Sequence, residues 1–122
     1  MDASDDGRPG GRGEDLAVAF LLAGGMAILA RNYRCRAGEI DVVARDGDVI
    51  VFVEVKERAG RSHGSAVEAV TWEKRRRIVR AARVYAASHR VSEAPIRFDV
   101  VSVDWDASGP VVRHDRGAFG EE

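Results

Sequence analysis

Three residues between positions 41 and 56 have the types and spacing for phosphoryl chemistry: Asp41, then Glu54 and Lys56 in the run Glu54-Val55-Lys56. Two carboxylates brought close together suit a hard divalent cation, Mg²⁺ or Mn²⁺. Mg²⁺ takes one or two protein carboxylates and completes its shell with water and substrate phosphate. Such an ion lowers the pKa of a bound water and neutralises charge developing on a phosphate. A lysine beside it can orient or deprotonate the attacking water and stabilise the transition state. Without a cation the two acids repel each other, and burial raises a pKa.

Positioning these groups falls to a predicted hairpin. Segments 40–45 and 49–56 are rich in Val and Ile and flank Arg45-Asp46-Gly47-Asp48. With Asp46-Gly47 as a two-residue turn, Arg45 pairs with Asp48 and Asp41 faces Phe52. Glu54 is then the diagonal neighbour of Asp41, roughly 7–8 Å away between backbone positions. Lys56 falls on the same face by the period of two, and Val49, Val51, Val53 and Val55 form the opposite, core face. A three-residue loop with a bulge would instead turn Asp41 towards the valines. The plain alternative is a weak surface ion pair. The strongly apolar flanks, which argue against a fully solvated face, and the arrival of Asp41 in register weigh against that alternative and leave both readings open.

The rest of the 122-residue chain reads as one domain. Residues 1–11, rich in Gly and Asp, are expected to be a disordered arm. A helix is predicted over 12–23, with Leu16, Ala17, Phe20 and Leu21 at helical spacing and Gly24-Gly25 as its stop. A strand follows over 27–33, then the hairpin, a polar loop over 57–65, a helix over 71–88 and a strand over 96–105. The domain spans 12–106, and the tail 107–122 is expected to be weakly structured. The order α-β-β-β-α-β implies a mixed sheet flanked by helices, of the α/β or α+β class.

Charge is unevenly spread. The formal net charge is −1, yet Lys74, Arg75, Arg76, Arg77, Arg80, Arg83 and Arg90 follow Trp72 with Glu73 as the one acid among them. Lys74, Arg76, Arg77, Arg80 and Arg83 are the candidate phosphate contacts, which makes nucleic acid, DNA first, the expected partner. The apolar stretch 16–30 is too short and too broken to span a bilayer, so no membrane is expected. One cysteine, Cys35, and an acidic start unlike a secretory signal imply a cytoplasmic protein. Three scattered histidines give no zinc site, and Gly10-Gly11-Arg12-Gly13 lacks the features of a P-loop. Trp72 and Trp105 are expected in core or edge packing.

The segments GRGEDLAVAFLLAGG, RNYRCRAGEIDVVARDGD, VIVFVEVKERAG and AVTWEKRRRIVRAAR resemble the YraN family of small bacterial proteins over about residues 10–105. That family is similar to the restriction-endonuclease-like nucleases, especially the archaeal Holliday-junction resolvases, whose pattern is a helix glutamate, an aspartate and E-x-K. The resemblance implies a restriction-endonuclease-like fold and a PD-(D/E)XK hydrolase site. In it Glu14, Asp41 and Glu54 are metal-side carboxylates and Lys56 is the catalytic base. It also implies a homodimer where the substrate is a two-fold symmetric junction. By composition alone Glu14 is an acid favoured in the first turn by the helix dipole. The leading functional expectation is a Mg²⁺- or Mn²⁺-dependent endonuclease for branched or damaged DNA. A nuclease-fold binder that does not cut, and a protein-interaction module, stand as alternatives.

Overall fold

The computed structural model describes residues 11–60 and 64–121. Most of the expected arm therefore lies outside the described residues. Helix α1 covers Gly11–Ala23, strands β1 Ala27–Cys35, β2 Gly38–Asp46 and β3 Val49–Ala59, a short α2 Ala66–Ala69, α3 Trp72–Ser88, and strands β4 Ile96–Asp106 and β5 Gly109–Phe119. The five strands form one sheet in chain order, antiparallel except for the parallel β3–β4 pair that the α2–α3 crossover connects. This is the expected class, a mixed sheet flanked by helices.

Helix α1 buries Gly13, Glu14, Ala17 and Leu21, one face at helical spacing. It ends on Gly25 at φ +96, with Met26 N–H donating to Leu21 O and Gly25 N–H to Leu22 O. That is the glycine-dependent helix stop expected there. The two sheet faces carry separate cores. Ala17, Leu21 and Met26 cover Val42, Ala44, Val51, Val53 and Val101. On the other side Ile78, Val79, Ala82 and Tyr85 of α3 cover Ile40, Val43, Ile50, Phe52, Phe98 and Val100.

Two expectations need correction. In the β2–β3 hairpin Asp46 pairs with Val49 and Val43 with Phe52, so the turn is Gly47-Asp48. Gly47 at φ 62 has positive φ and Asp48 does not, which fits a two-residue turn with glycine first. The register moves by two residues relative to the expected one. An even shift leaves the side chains of the paired segment, 42–46 and 49–53, on their expected faces. The second correction concerns the tail: β5 is a full edge strand on β4, not weakly structured. Its residues are mostly exposed or half-buried, so it lacks the apolar alternation that marks a strand in sequence.

One row breaks the alternation of faces. Ile40 packs in the α3 layer and Val42 in the α1 layer, although they are two residues apart. Asp41 lies between them. Across the β1–β2 pair, Arg31 is opposite Val42 and Tyr33 opposite Ile40, which sets Asn32 opposite Asp41. Asn32 has φ 53, and around it β1 passes from Arg31 on the α1 side to Tyr33 against Tyr85 of α3.

Candidate active site

The register found for the hairpin, continued past Val42 and Val53, sets Glu54 directly across from Asp41 rather than diagonal to it. Ladder pairing stops at Val42, and the Asp41 side chain takes over: Asp41 Oδ2 accepts a hydrogen bond of 2.8 Å from Val55 N–H. Asp41 is half-buried, and Glu54 is 6% exposed. Burial, followed by the neighbouring charge of Glu54, pushes the Asp41 carboxyl up to about 7, with the Val55 N–H and Lys74 opposing the rise. The pair therefore strains against holding two negative charges, as burial of like charges requires.

Lys56, two residues beyond Glu54, is half-buried beside Ser102 of β4 and by alternation shares the face of Glu54. A second lysine joins the pair. Lys74 Nζ lies 3.2 Å from Glu54 Oε2, brought there from the first turn of α3. Thr71 caps that helix by accepting from Lys74 N–H, and Arg75 donates to Val70 O and Val67 O, tying α3 to α2. Sequence reasoning placed Lys74 among phosphate contacts and missed its reach to Glu54. The signal was there: Lys74 heads the stripe that continues through Ile78, Ala81, Ala82 and Tyr85.

Glu14 sits elsewhere. It is 1% exposed, and its Oε1 accepts from Arg31 Nη2 at 2.7 Å and Asn32 Nδ2 at 3.1 Å. The first turn of α1 does approach β3, since a Cβ on Gly13 would collide with the Glu57 carboxylate. Among the described residues, however, no three His, Cys, Asp or Glu side chains converge in a metal-holding group. The structure brings Asp41 and Glu54 together and leaves Glu14 with Arg31 and Asn32. Glu39, an alternative acid on β2, pairs with Arg34 at the surface.

Of the basic residues, Arg76, Arg77 and Arg80 are exposed and, with Trp72 and Glu73, line an open depression of about 410 Å³. Arg77 and Lys74 also line a neighbouring depression of about 370 Å³ with Arg34 and Glu39, so the basic surface runs on to the lysine that faces Glu54. Arg83 instead pairs with Glu121. Trp72 corrects its expected packing role: it is 62% exposed, with the Arg76 guanidinium 4.8 Å from its ring centroid.

Comparison with known proteins now places the chain. The model of the uncharacterised protein family UPF0102 matches residues 13–103. The chain belongs to this family, which is the YraN family. A UPF0102 protein of Parafrankia sp. (strain EAN1pec) is 53% identical over 113 residues, covering 92% of this chain and 96% of the relative. Another, from Geobacter metallireducens, is 47% identical over 110 residues, covering 90% of each. Among solved structures, Pyrococcus furiosus SfsA in complex with Ca²⁺ aligns with TM-score 0.37 at 13% identity. That alignment covers 84% of this chain, which spans 60% of the SfsA chain. No helix among the described residues is long and apolar enough to cross a membrane.

Proposed function

We propose that this UPF0102 protein is a metal-dependent endonuclease acting on DNA in the cytoplasm, with branched or damaged structures as its substrates. The observation that carries the reading is the Asp41–Glu54 pair, two acids pressed together under burial and set beside an arginine-lined surface. The donor set fits Mg²⁺ or Mn²⁺: two hard carboxylate oxygens suffice when water and a phosphate complete the shell. Asp41 and Glu54 would hold the ion, which would supply charge neutralisation at the phosphate and acidify a water.

The remaining roles belong to the chain itself. Lys56 orients the attacking water and counters the negative charge that grows on the phosphate. Lys74 holds Glu54 in place through its 3.2 Å contact. Arg76, Arg77 and Arg80 grip backbone phosphates, and Trp72 offers a stacking surface for an unpaired base, the kind of base a branched or damaged substrate exposes. Glu14 is held by Arg31 and Asn32 and ties α1 to β1.

A nicking assay on supercoiled, branched and mismatched DNA with Mn²⁺ tests this. Wild type should cleave, and Lys56→Ala should lose about 10³-fold or more in rate while keeping its Mn²⁺ affinity. Combined Arg76→Ala, Arg77→Ala and Arg80→Ala should weaken DNA binding and flatten its salt dependence by about 0.9 logarithmic units per lost phosphate contact. Salt-dependent binding by a wild type that never cleaves would establish the non-catalytic binder instead.

A further inference from the structure

Trp72, Arg75, Arg76 and Val79 recur at helical spacing and form one stripe of α3. Between this stripe and Ala118-Phe119-Gly120, at the end of β5, lies a depression of about 370 Å³. Val79, which is buried, and Phe119, whose half-buried ring stacks on Phe98 at 5.2 Å between centroids, give it apolar walls. Trp72 and Arg76 line this depression and the arginine-lined one beside it, so they form the ridge between the two. On one side of the ridge stand Glu73, Arg77 and Arg80, all charged; on the other stand Val79, Ala118 and Phe119, with Arg75. The two depressions described above each include an acid, Glu39 or Glu73, and the described residues lining this one include none. Arg75 is held by its bonds to Val70 O at 2.9 Å and Val67 O at 2.6 Å, with its guanidinium 5.3 Å from the Phe119 ring centroid. Among the described residues neither Arg75 nor Arg76 pairs with an acid.

An apolar cleft with Trp72 on one wall, Phe119 on the other and unanswered positive charge around it suits a flat π-face carried on an anionic backbone. Nucleobases stack on aromatic rings and guanidinium planes with little regard to sequence, and their phosphates answer the arginines. An aromatic side chain of a peptide would fill the cleft but leave both guanidiniums unmatched. A base inside a closed duplex is already stacked on its neighbours and cannot enter. We infer that this cleft receives one unpaired nucleobase of a single-stranded segment, while adjoining phosphates of the same strand lie across the ridge at Arg76, Arg77 and Arg80. The inference rests on the reading of α3 as a nucleic-acid surface, and not on cleavage. It goes further by making Phe119 and Arg75 part of the contact and by selecting single-stranded segments over closed duplex.

Fluorescence anisotropy in EDTA, where metal-dependent cleavage is silent, tests the inference with three labelled probes: oligothymidine, an abasic oligomer of the same length, and a blunt hairpin duplex. Wild type should bind oligothymidine about 10-fold more tightly than the abasic oligomer, the scale of one stacked base. Trp72→Leu, at an exposed position, and Phe119→Leu, which keeps an apolar side chain against Phe98, should each lose most of that preference and bind the abasic oligomer and the duplex as wild type does. Trp72→Phe should restore it. A 2-aminopurine oligomer on wild type keeps the test open if Phe119→Leu does not fold: binding should shield the base from quenching by acrylamide. Equal wild-type affinity for the thymidine and abasic oligomers, or unchanged quenching of 2-aminopurine, would overturn the inference and leave the nucleic-acid surface standing. A folded Phe119→Leu that keeps the full preference would also overturn it, placing the base on Trp72 outside the cleft. Failure of wild type to bind any of the three probes would overturn the nucleic-acid reading and this inference together.

Discussion

Two buried acidic centres occupy the same sheet and are treated in opposite ways. On β4, Asp99 is fully buried and collects donors: Arg97 Nε at 2.9 Å, Arg97 Nη2 at 3.0 Å, His114 Nε2 at 2.7 Å and Gly117 N–H at 2.9 Å. Burial alone would raise its pKa, but the bonds from His114, Arg97 and Gly117 together prevail and hold it at about 2. Asp41 and Glu54 share one backbone N–H and one lysine, and Asp41 is driven up to about 7. A carboxylate whose lone pairs are all engaged serves the fold, here by fastening edge strand β5 at its bulge. A pair left short of positive charge keeps its repulsion, and a carboxyl perturbed in that way marks a candidate functional site.

The sharpest way to break this contrast is at Asp99. Asp99→Ala leaves Arg97 and His114 facing a buried gap, and should cost about 3–5 kcal/mol in urea unfolding at neutral pH. Because its folded pKa is depressed, the Asp99 contribution is present above the unfolded value near 3.8 and fades as pH falls towards 2. A loss below 1 kcal/mol would remove the distinction between the two centres.

The opposite sign is expected at Asp41. Its folded pKa is raised, so between about 4 and 7 the folded protein keeps a proton that the unfolded chain has released, and stability falls as pH rises through that window. Asp41→Asn keeps an oxygen for Val55 N–H and removes the repulsion. In metal-free protein it should gain on the order of 1–3 kcal/mol at pH 8 and almost nothing at pH 4, read as thermal melts at both pH values. The smallest effect belongs to Lys74, whose side chain is 38% exposed. Lys74→Met should cost about 1 kcal/mol or less, and the cost should vanish in a Glu54→Gln background when the double-mutant cycle is closed by urea unfolding.

The sequence disclosed the carboxylate face because Val49, Val51, Val53 and Val55 fix the alternation of β3, and parity survives an even slip. It misplaced the pairing because Asp46, Gly47 and Asp48 accept either of two even turns. Only packing decides between them, by setting Phe52 beside Val43 under Tyr85 and Phe98. Strand β5 stayed hidden because its apolar anchors are few, Val112 on one core and Ala118 and Phe119 on the other, and bonds from His114 and Gly117 to Asp99 help hold its far half. The Lys74 contact is tertiary, made between α3 and β3 across a layer, and sequence offers only the position of a lysine at the head of an apolar stripe. Glu14 was singled out through resemblance alone, as a metal-side carboxylate, and its burial and its partners Arg31 and Asn32 became visible only once β1 was in place.

The single parallel pair in the sheet has a consequence for the order in which the molecule assembles. Strands β1, β2 and β3 are joined by short turns and close locally, whereas β3 and β4 must wait for the crossover that contains α3. Local closure is fast, and non-local parallel pairing is slow. The chain therefore brings Asp41 and Glu54 face to face before Lys74 arrives to relieve them. The hairpin expected to close earliest is thus the one that carries the repulsion between Asp41 and Glu54, and that repulsion opposes the first step towards the native state.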